Sequence, residues 1–301
     1  MSSRIAVLAG TVRPNFLVLT PACVLLGMAV ADADSGADSA PRYLLLGLIL
    51  LGALLAHVSV NMLNEYEDFR SGLDFHTERT PFSGGSGSLP GQPGAAGTIL
   101  AGGLLSLVAT VAIGIALLYF RGPGLLPLGL LGLLLVATYS THIVRWPLAS
   151  LVAPGLGFGP LMVMGTAFVV GGSYTAGAFV ASLVPFFLVS NLLLLNQFPD
   201  VEADRDAGRS NLPIRIGRRA SSVVYAIFLG GAFGTLVLGT LSGYLPWAAA
   251  LALVPGLAAP ALALHARRWA DDVKRLEPVL GWNVALTLGT IGLLALGLVV
   301  G

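Results

Sequence analysis

The amino-acid sequence predicts an all-α polytopic membrane protein, a bundle of nine transmembrane helices around a central cavity open to the cytoplasmic side. The composition places the chain in a lipid bilayer, because 55% of its 301 residues are hydrophobic and only 10% are charged. Soluble domains carry about 25% charged residues. Apolar segments of about 20 residues, the length that crosses a bilayer as a helix, recur along the chain. Two short stretches rich in carboxylates, each at the end of an apolar segment, suggest a divalent-metal site at a membrane surface.

Each predicted span is a mostly apolar segment of suitable length. The nine spans cover residues 15–31, 43–63, 98–120, 124–143, 150–171, 177–198, 221–241, 245–265 and 279–300. Their many Gly and Ala residues suit close helix contacts in lipid, and they lack the alternating polarity of membrane-barrel strands. The first segment also resembles a signal peptide, because Arg4 and Arg13 precede it and residues 29–31 imitate a cleavage site. Eight further spans favour a retained first helix.

The distribution of Lys and Arg predicts the orientation, because cytoplasmic segments of membrane proteins are enriched in basic residues. With the N-terminus in the cytoplasm, only Arg42 and Arg121 of the 16 basic residues lie outside, which leaves 16 − 2 = 14 inside. Both acidic stretches then face the cytoplasm. A net charge of +1 argues against nucleic acid as a partner. The single cysteine, Cys23, is predicted to pack within the first span.

The chain shows no soluble domain, so residues 1–301 are predicted to form one transmembrane domain. The two acidic stretches are 200 − 68 = 132 residues apart, four predicted helices along the chain. Their helices therefore cross the membrane in the same direction. This spacing suggests pseudo-repeat halves of about 1–145 and 146–301, with a site at the interface of the repeats.

The first acidic stretch runs from Asn61 to Asp74 at the end of the second span. Asn61, Asn64 and Asp68 are three and four residues apart, so they share one face of a helix. His57 extends this stripe into the membrane, either as a cavity-lining residue or as a packing residue. Carboxylates beside hydrocarbon are costly and by default mark a functional site.

The second acidic stretch runs from Asn196 to Arg209, after the sixth span. Asn196, Asp200 and Asp204 are spaced four residues apart, and Pro199 is predicted to kink the helix end and free a carbonyl. Amide and carboxylate oxygens suit Mg²⁺, which also binds substrate phosphates, whereas no His or Cys set has zinc spacing. With nearby Arg side chains to pair with phosphate, the two stretches predict a lipid diphosphate held by bridging metals. Alternatively, these charges only pair with one another at solvated loop ends.

Other features leave further alternatives open. The link over residues 69–97 contains the glycine-rich run Gly84–Gly87, which either wraps a phosphate with backbone N–H groups or forms a plain flexible loop. An ion-coupled transporter would need ionisable residues near mid-membrane, and these spans hold almost none there. A lipid head-group phosphotransferase would keep its Asp residues within one segment.

The two acidic motifs resemble those of the UbiA-type intramembrane prenyltransferases, a family with nine transmembrane helices and Asp-rich motifs on helices 2 and 6. The matching residues are Asn64, Asp68 and Asp74 in the first motif, and Asp200, Asp204 and Gly208 in the second. Within the family, the sequence is most similar to the menaquinone-type branch, which prenylates 1,4-dihydroxy-2-naphthoate. It departs from that pattern at Glu65, where Asp is frequent, and at Asn196-Gln197, where Asn-Asn is more common.

This resemblance implies Mg²⁺-dependent transfer of a polyprenyl group from a polyprenyl diphosphate to an aromatic acceptor, with two Mg²⁺ ions bridging the diphosphate. The residues it implies for catalysis and metal binding are Asn64, Asp68, Asp200 and Asp204. Those it implies for substrate binding are Asn61, Asp74, Arg79, Tyr139, Arg145, Asn196, Arg209 and Arg215, with Asp206 a further ligand candidate. The acceptor stays open between 1,4-dihydroxy-2-naphthoate, 4-hydroxybenzoate, homogentisate, a chlorin or porphyrin, and a glycerol-phosphate lipid. Prenyl chain length and oligomeric state are not predicted.

Overall fold

The computed structural model describes residues 2–35, 41–77 and 79–301, and all regular structure within them is helical. The first helices are α1 (Ser2–Val12), α2 (Leu19–Ser35), α3 (Pro41–Ser71), α4 (Ala96–Arg121) and α5 (Leu126–Thr138). They are followed by α6 (Pro147–Gly171), α7 (Ala176–Asn196), α8 (Val201–Asp206), α9 (Arg218–Leu241), α10 (Trp247–Arg268) and α11 (Val273–Val300). The predicted all-α class is confirmed for this part of the chain.

Eight helical segments of the described ranges are long and apolar enough to cross a membrane, as expected of an integral membrane protein. They are Val7–Ala33, which includes most of α2, together with α3, α4, α6, α7, α9, α10 and α11. The remaining predicted span, residues 124–143, is a shorter apolar helix, Pro123–Thr138. It is shorter than predicted because the chain turns at residues 139–142, where Tyr139 and His142 still look apolar enough to extend a span.

The bundle is centred on α7, and helices from the two ends of the chain pack against each other. Helix α7 packs against α6, α9 and α11, while α2 packs against α11 and α3 packs along α4. Most of the buried apolar side chains on α7 belong to one large core, which includes Val184, Leu188 and Leu194. The link between Asp32 and Arg42 lies partly outside the described residues, and an ion pair joins these two side chains at its ends.

Glycine permits the close contact between α6 and α7. A Cβ atom at Gly155 would overlap the carbonyl group of Phe186, and one at Gly159 would overlap the carbonyl of Ser182. The backbones of the two helices therefore approach as closely as small residues allow in membrane proteins. Gly155 and Gly159 therefore serve the packing of these two helices.

The middle of α6 is widened into a π-helical stretch over Gly157–Met164. Pro160 lies inside it and lacks a backbone N–H group, so the regular hydrogen-bond ladder cannot continue there. π-Helical turns of this kind are frequent at functional sites. Gly157, Phe158 and Leu161 from this stretch line the cavity described next.

Candidate active site

A cavity of about 440 Å³ lies between the helices of the N-terminal half and α6 and α7. Its deep part is apolar and is lined by residues such as Leu117, Leu133 and Leu161. Its polar end holds both acidic motifs, where the links after α3 and α7 meet. The predicted central cavity is therefore present, with its charged groups gathered at one end.

The first motif projects from the last turns of α3. The Nδ2 atom of Asn64 donates a hydrogen bond to Oδ2 of Asp68 at 2.8 Å, as their four-residue spacing on one helix face allows. The hydroxyl of Ser140 approaches Oδ1 of Asn64 at 3.4 Å from the turn after α5. Asp68 is buried, with 5% of its surface exposed.

The second motif begins where α7 ends. The helix stops at Asn196, residues 197–200 form a turn that contains Pro199, and α8 begins at Val201. Pro199 therefore interrupts the helix as predicted. The helix ends there instead of only bending, so Asn196, Asp200 and Asp204 do not share one helix face. Asp204 is buried on α8, and its Oδ2 atom accepts a hydrogen bond from Nδ2 of Asn211 at 2.7 Å.

Arg209 joins the two motifs. Its guanidinium group forms an ion pair with Oδ1 of Asp68 and another, at 3.1 Å, with Oδ1 of Asp204. Burial alone lowers the pKa of Arg209, but the two carboxylates outweigh burial and raise that pKa above its ordinary value. The two motifs thus share one fixed positive charge, although Asp68 and Arg209 are far apart in the sequence.

The glycine-rich loop forms a second link between the motifs. The Gly84 N–H group donates to Oδ2 of Asp200 at 3.2 Å, and the Ser86 N–H group donates to Oε1 of Glu65 at 3.1 Å. Gly84 and Gly85 have φ angles of 82° and 72°, in the left-handed region that favours glycine. The loop is therefore neither a free linker nor, as it stands, a phosphate wrap, because two of its N–H groups bind carboxylates.

Glu65 is the largest omission from the residues predicted for the site. It is fully buried, receives hydrogen bonds from the N–H and hydroxyl groups of Ser86, and lies 3.5 Å from the guanidinium of Arg13. Arg13 also lines the cavity. The only sign of Glu65 in the sequence is its position inside the first motif. Its contacts could not be predicted, because its partners come from the glycine-rich loop and from the N-terminal segment.

Several oxygen atoms at the polar end of the cavity have no hydrogen-bond donor among the described residues. They are Oδ1 of Asp200, Oδ1 of Asn196 and Oδ2 of Asp74, all buried. Burial and then the neighbouring Asp204 raise the pKa of Asp200 to about 7, and burial and then Glu65 raise the pKa of Asp74 to about 7. Burial also raises the pKa of Asp204. Unpaired acceptor oxygens among carboxylates of raised pKa fit a hard cation that binds oxygen ligands.

The donor set also limits how a metal can bind. Within the described ranges, no three His, Cys, Asp or Glu side chains lie close enough together to form a ready metal site. Amide oxygens, water and substrate phosphate would have to complete the coordination, which is usual for Mg²⁺. The residues present therefore fit Mg²⁺ that arrives with an anionic substrate better than a preformed metal cage.

The other residues predicted to bind substrate occupy three kinds of position. Those that line the cavity are Asn61, Asp74, Tyr139, Asn196 and Arg209. Arg79 lies beside Gly87, outside the cavity lining, and donates to the carbonyl of Asp74 at 3.2 Å. Arg145 and Arg215 are exposed and lie outside the cavity lining, as does Asp206.

His57 also lines the cavity, which decides between the two roles that the sequence left open. Its ring is 8% exposed, and Nδ1 lies 2.8 Å from Oγ1 of Thr20. The ring of Phe158 meets it edge-on, with the ring centroids 5.0 Å apart. His57 is two helical turns deeper along α3 than Asn64.

The helical bundle defines an integral membrane protein whose cavity combines an apolar interior with a carboxylate-rich end. The sequence profile of the UbiA prenyltransferase family matches residues 18–285, and the chain belongs to that family. The resemblance seen in the two motifs is therefore confirmed, and the chain is a prenyltransferase.

Two curated relatives have the same name. The chain is 27% identical to the 1,4-dihydroxy-2-naphthoate octaprenyltransferase of Haemophilus influenzae, over 97% of this chain and 95% of the relative. It is 26% identical to the 1,4-dihydroxy-2-naphthoate octaprenyltransferase of Bacillus subtilis, over 78% of this chain and 74% of the relative.

Solved structures share the fold. A UbiA homologue from Archaeoglobus fulgidus bound to GPP and Mg²⁺ has a TM-score of 0.59 and 15% identity, over 96% of this chain and 99% of its own. The apo structure of a UbiA homologue from Aeropyrum pernix has a TM-score of 0.64 and 16% identity, over 95% and 98%. At these identities the likeness concerns the fold alone.

Proposed function

We propose that this chain transfers a polyprenyl group from a polyprenyl diphosphate to 1,4-dihydroxy-2-naphthoate, with Mg²⁺, as a step of menaquinone biosynthesis. The observation that carries the proposal is the meeting of both acidic motifs at the mouth of one apolar cavity. A diphosphate would lie among the charged groups, and the prenyl chain would extend into the apolar part. The names of the two relatives support this acceptor.

The residues proposed to hold the metal and the diphosphate are those of the two motifs. Asn64, Asp68, Asp200 and Asp204 supply oxygen atoms at the polar end of the cavity, and two bridging Mg²⁺ ions would suit so many carboxylates. When bound, Mg²⁺ would neutralise the negative charge that grows on the leaving diphosphate. Mg²⁺ in the structure of the Archaeoglobus homologue is consistent with this role.

The chemistry asks two things of the protein's own residues, which are stabilisation of the leaving group and protection of the allylic cation from water. The allylic C–O bond breaks and its electron pair leaves with the diphosphate, so the positive charge of Arg209 stabilises the departing group. An aromatic ring carbon then bonds to the allylic cation, and the ring regains aromaticity either by losing its carboxylate as carbon dioxide or by losing a proton to water or to the departed diphosphate. The apolar lining, including Leu133 and Leu161, keeps water away from the cation.

The proposed orientation has the N-terminus and both acidic motifs in the cytoplasm. It is supported by the bias of basic residues, 14 of 16 on one side. In this arrangement α5 would complete a ninth crossing, with its shorter length compensated by the adjoining turns. The chain would then be a single domain, with related halves of about 1–145 and 146–301 that meet at the cavity.

The proposed function is tested by product formation with purified protein in nanodiscs. The protein receives geranylgeranyl diphosphate and 1,4-dihydroxy-2-naphthoate, with Mg²⁺ or with EDTA, and products are read by mass spectrometry. We expect a Mg²⁺-dependent prenylated product whose rate falls on the order of 100-fold or more in Asp68→Asn. The matched control is Glu67→Gln, which removes a carboxylate that pairs with Arg70 on the same helix.

Two results would count against the proposal. Wild-type turnover in Asp68→Asn would remove the first motif from the reaction. Transfer to 4-hydroxybenzoate or homogentisate, with none to the naphthoate, would keep the prenyltransferase activity and replace the acceptor.

A further inference from the structure

We infer that His57 is a specificity-determining residue whose Nε2 atom hydrogen-bonds a ring hydroxyl of the aromatic acceptor. The inference rests on the proposed function, because it places the acceptor in the cavity beyond the diphosphate. It adds a residue from outside both acidic motifs.

The first observation is that one ring nitrogen of His57 is already engaged. Nδ1 pairs with Oγ1 of Thr20, a fully buried hydroxyl on α2, at 2.8 Å. The edge contact with Phe158 fixes the plane of the ring from the side of α6. Both contacts hold the imidazole in one orientation, as a group that binds a ligand with specific geometry requires.

The second observation is that the other nitrogen has no partner. Nε2 of His57 makes no hydrogen bond to any described residue, although the side chain is 8% exposed and lines the cavity. Nε2 is open to the cavity rather than fully enclosed by protein atoms. A ligand with a hydroxyl group could therefore pair with it, because a neutral imidazole can donate or accept at Nε2 according to its tautomer.

The third observation is the surroundings of His57. Thr110 also lines the cavity, but its hydroxyl already donates to the carbonyl of Ser106 at 2.9 Å. The side-chain Nδ2 of Asn61, one turn towards the mouth, donates to the carbonyl of Val12 at 2.9 Å. His57 is therefore a polar group with a free atom at the depth where the cavity becomes apolar. A prenyl chain carries no group that can hydrogen-bond Nε2, whereas a dihydroxylated ring carries two hydroxyl groups.

The position along α3 suits an acceptor next to the diphosphate. His57, Asn61 and Asn64 follow one helix face, and Asn64 belongs to the first motif. His57 and Asn64 are seven residues apart, which is about 10 Å along a helix. That distance is comparable to the length of a two-ring aromatic acid lying beside the reacting end of the prenyl chain.

The test compares binding of two acceptor analogues by equilibrium dialysis under anaerobic conditions. One ligand is 1,4-dihydroxy-2-naphthoate, and the other is 2-naphthoate, which lacks both hydroxyl groups. We expect His57→Leu to weaken binding of the dihydroxy compound by about tenfold and to leave binding of 2-naphthoate unchanged. The matched control, Thr110→Val, should change neither dissociation constant, because its hydroxyl is satisfied within the protein.

Equal binding of the dihydroxy compound by wild type and His57→Leu would overturn the inference. An equal loss for both ligands would also overturn it, since it would show a packing role. Prenyl transfer by the same proteins separates this result from the proposed function. If wild type turns over and His57→Leu has an unchanged acceptor KM, the role of His57 is wrong and the proposed function stands. If acceptor binding depends on His57 but neither protein turns over, the role of His57 stands and the proposed reaction is wrong.

A second measurement does not require the His57 variant to fold. The chain has four histidines, and His76, His142 and His265 are exposed. Replacing these three by Asn leaves His57 as the single ¹⁵N-labelled imidazole. Its Nε2 resonance should shift when the dihydroxy compound is added and stay in place with 2-naphthoate. A resonance that ignores both ligands would overturn the inference.

Discussion

At the scale of single residues, Arg209 has the most consequential position in the site. One guanidinium group pairs with a carboxylate from each motif, and it lies where a bound cation would also be attracted. Without it, Asp68 and Asp204 would face each other as buried like charges. Removing one partner of a buried ion pair costs about 3–5 kcal/mol, because the remaining charge loses its compensation.

We therefore expect Arg209→Ala to lower the melting temperature of the metal-free protein and to reduce turnover. Added Mg²⁺ should restore most of the lost thermal stability, because it supplies the missing positive charge. The measurement is thermal unfolding in detergent with EDTA or with Mg²⁺. Arg205→Ala is the matched control, since that Arg pairs with the exposed Glu202 and should change neither quantity. An Arg209→Ala protein as stable as wild type in EDTA would contradict the role.

The raised pKa of Asp200 predicts a pH-dependent stability of the metal-free protein. Its ordinary value is 3.8 and its value in the fold is about 7, so the folded protein binds more protons than the unfolded chain between these values. The protonated form stabilises the fold, and this contribution is lost as the pH rises through 7. Asn resembles the protonated carboxyl, and the unfolded wild-type chain already ionises Asp200 above its ordinary value, so in EDTA Asp200→Asn should melt somewhat higher than wild type at pH 5.5 and by a larger margin at pH 8.

The same thermal melts contain their own control. Asp206→Asn changes an exposed carboxylate at the end of α8, six residues after Asp200, and should match wild type at both pH values. A lower melting temperature for Asp200→Asn than for wild type at pH 8 would show that Asp200 is stabilised as a carboxylate, contrary to its raised pKa.

At the scale of elements, the loop over residues 84–87 connects the two acidic motifs through hydrogen bonds. It binds Asp200 through Gly84 and Glu65 through Ser86, so it ties the end of α3 to the start of α8. Gly85 has φ 72°, and a Cβ atom there would lie 2.8 Å from Oδ1 of Asp74. The loop therefore depends on glycine both for its backbone conformation and for space.

We expect Gly85→Ala to raise KM for the prenyl diphosphate by about tenfold, because left-handed strain of about 1 kcal/mol or more and the clash displace the loop. The control is Gly91→Ala, where a Cβ atom meets open space and the backbone is not left-handed. Steady-state kinetics with each substrate varied in turn provide the measurement. A KM that rises only for the aromatic acceptor would contradict a role of the loop in binding the prenyl diphosphate.

The elements also show what a sequence can and cannot reveal about this site. Asn64 and Asp68 were predictable together because helical spacing is local, and they do contact each other. The bond between Gly84 and Asp200 was not predictable, because it spans 116 residues and depends on how two links fold. Arg145 and Arg215 looked equivalent to Arg209 in the sequence, yet only Arg209 reaches the cavity.

At the scale of the whole molecule, composition and segment length predicted the helical bundle well, because both are set by the bilayer. The end of α5 was the exception, since apolar residues also occur in the turn that follows it. The distribution of the basic residues predicts the side of the membrane on which the motifs lie, and this can be checked in the intact cell.

The orientation is tested with single cysteines in a Cys23→Ala background. Ser173 and Asp206 are exposed and lie beyond opposite ends of α7. We expect a membrane-impermeant maleimide to label Ser173→Cys in intact cells and to label Asp206→Cys only after the membrane is opened. Labelling in the reverse order would place the acidic motifs outside the cell.

The contact between α6 and α7 restricts which substitutions this sequence can accept during evolution. Gly155 and Gly159 touch the backbone of α7, whereas a Cβ atom at Gly157 meets open space. Any substitution of Gly155 or Gly159 by another residue adds at least a methyl group against a carbonyl. The same change at Gly157 adds it towards the cavity. Selection for folding should therefore hold two of the three glycines fixed, while the middle one is free to vary with the substrate.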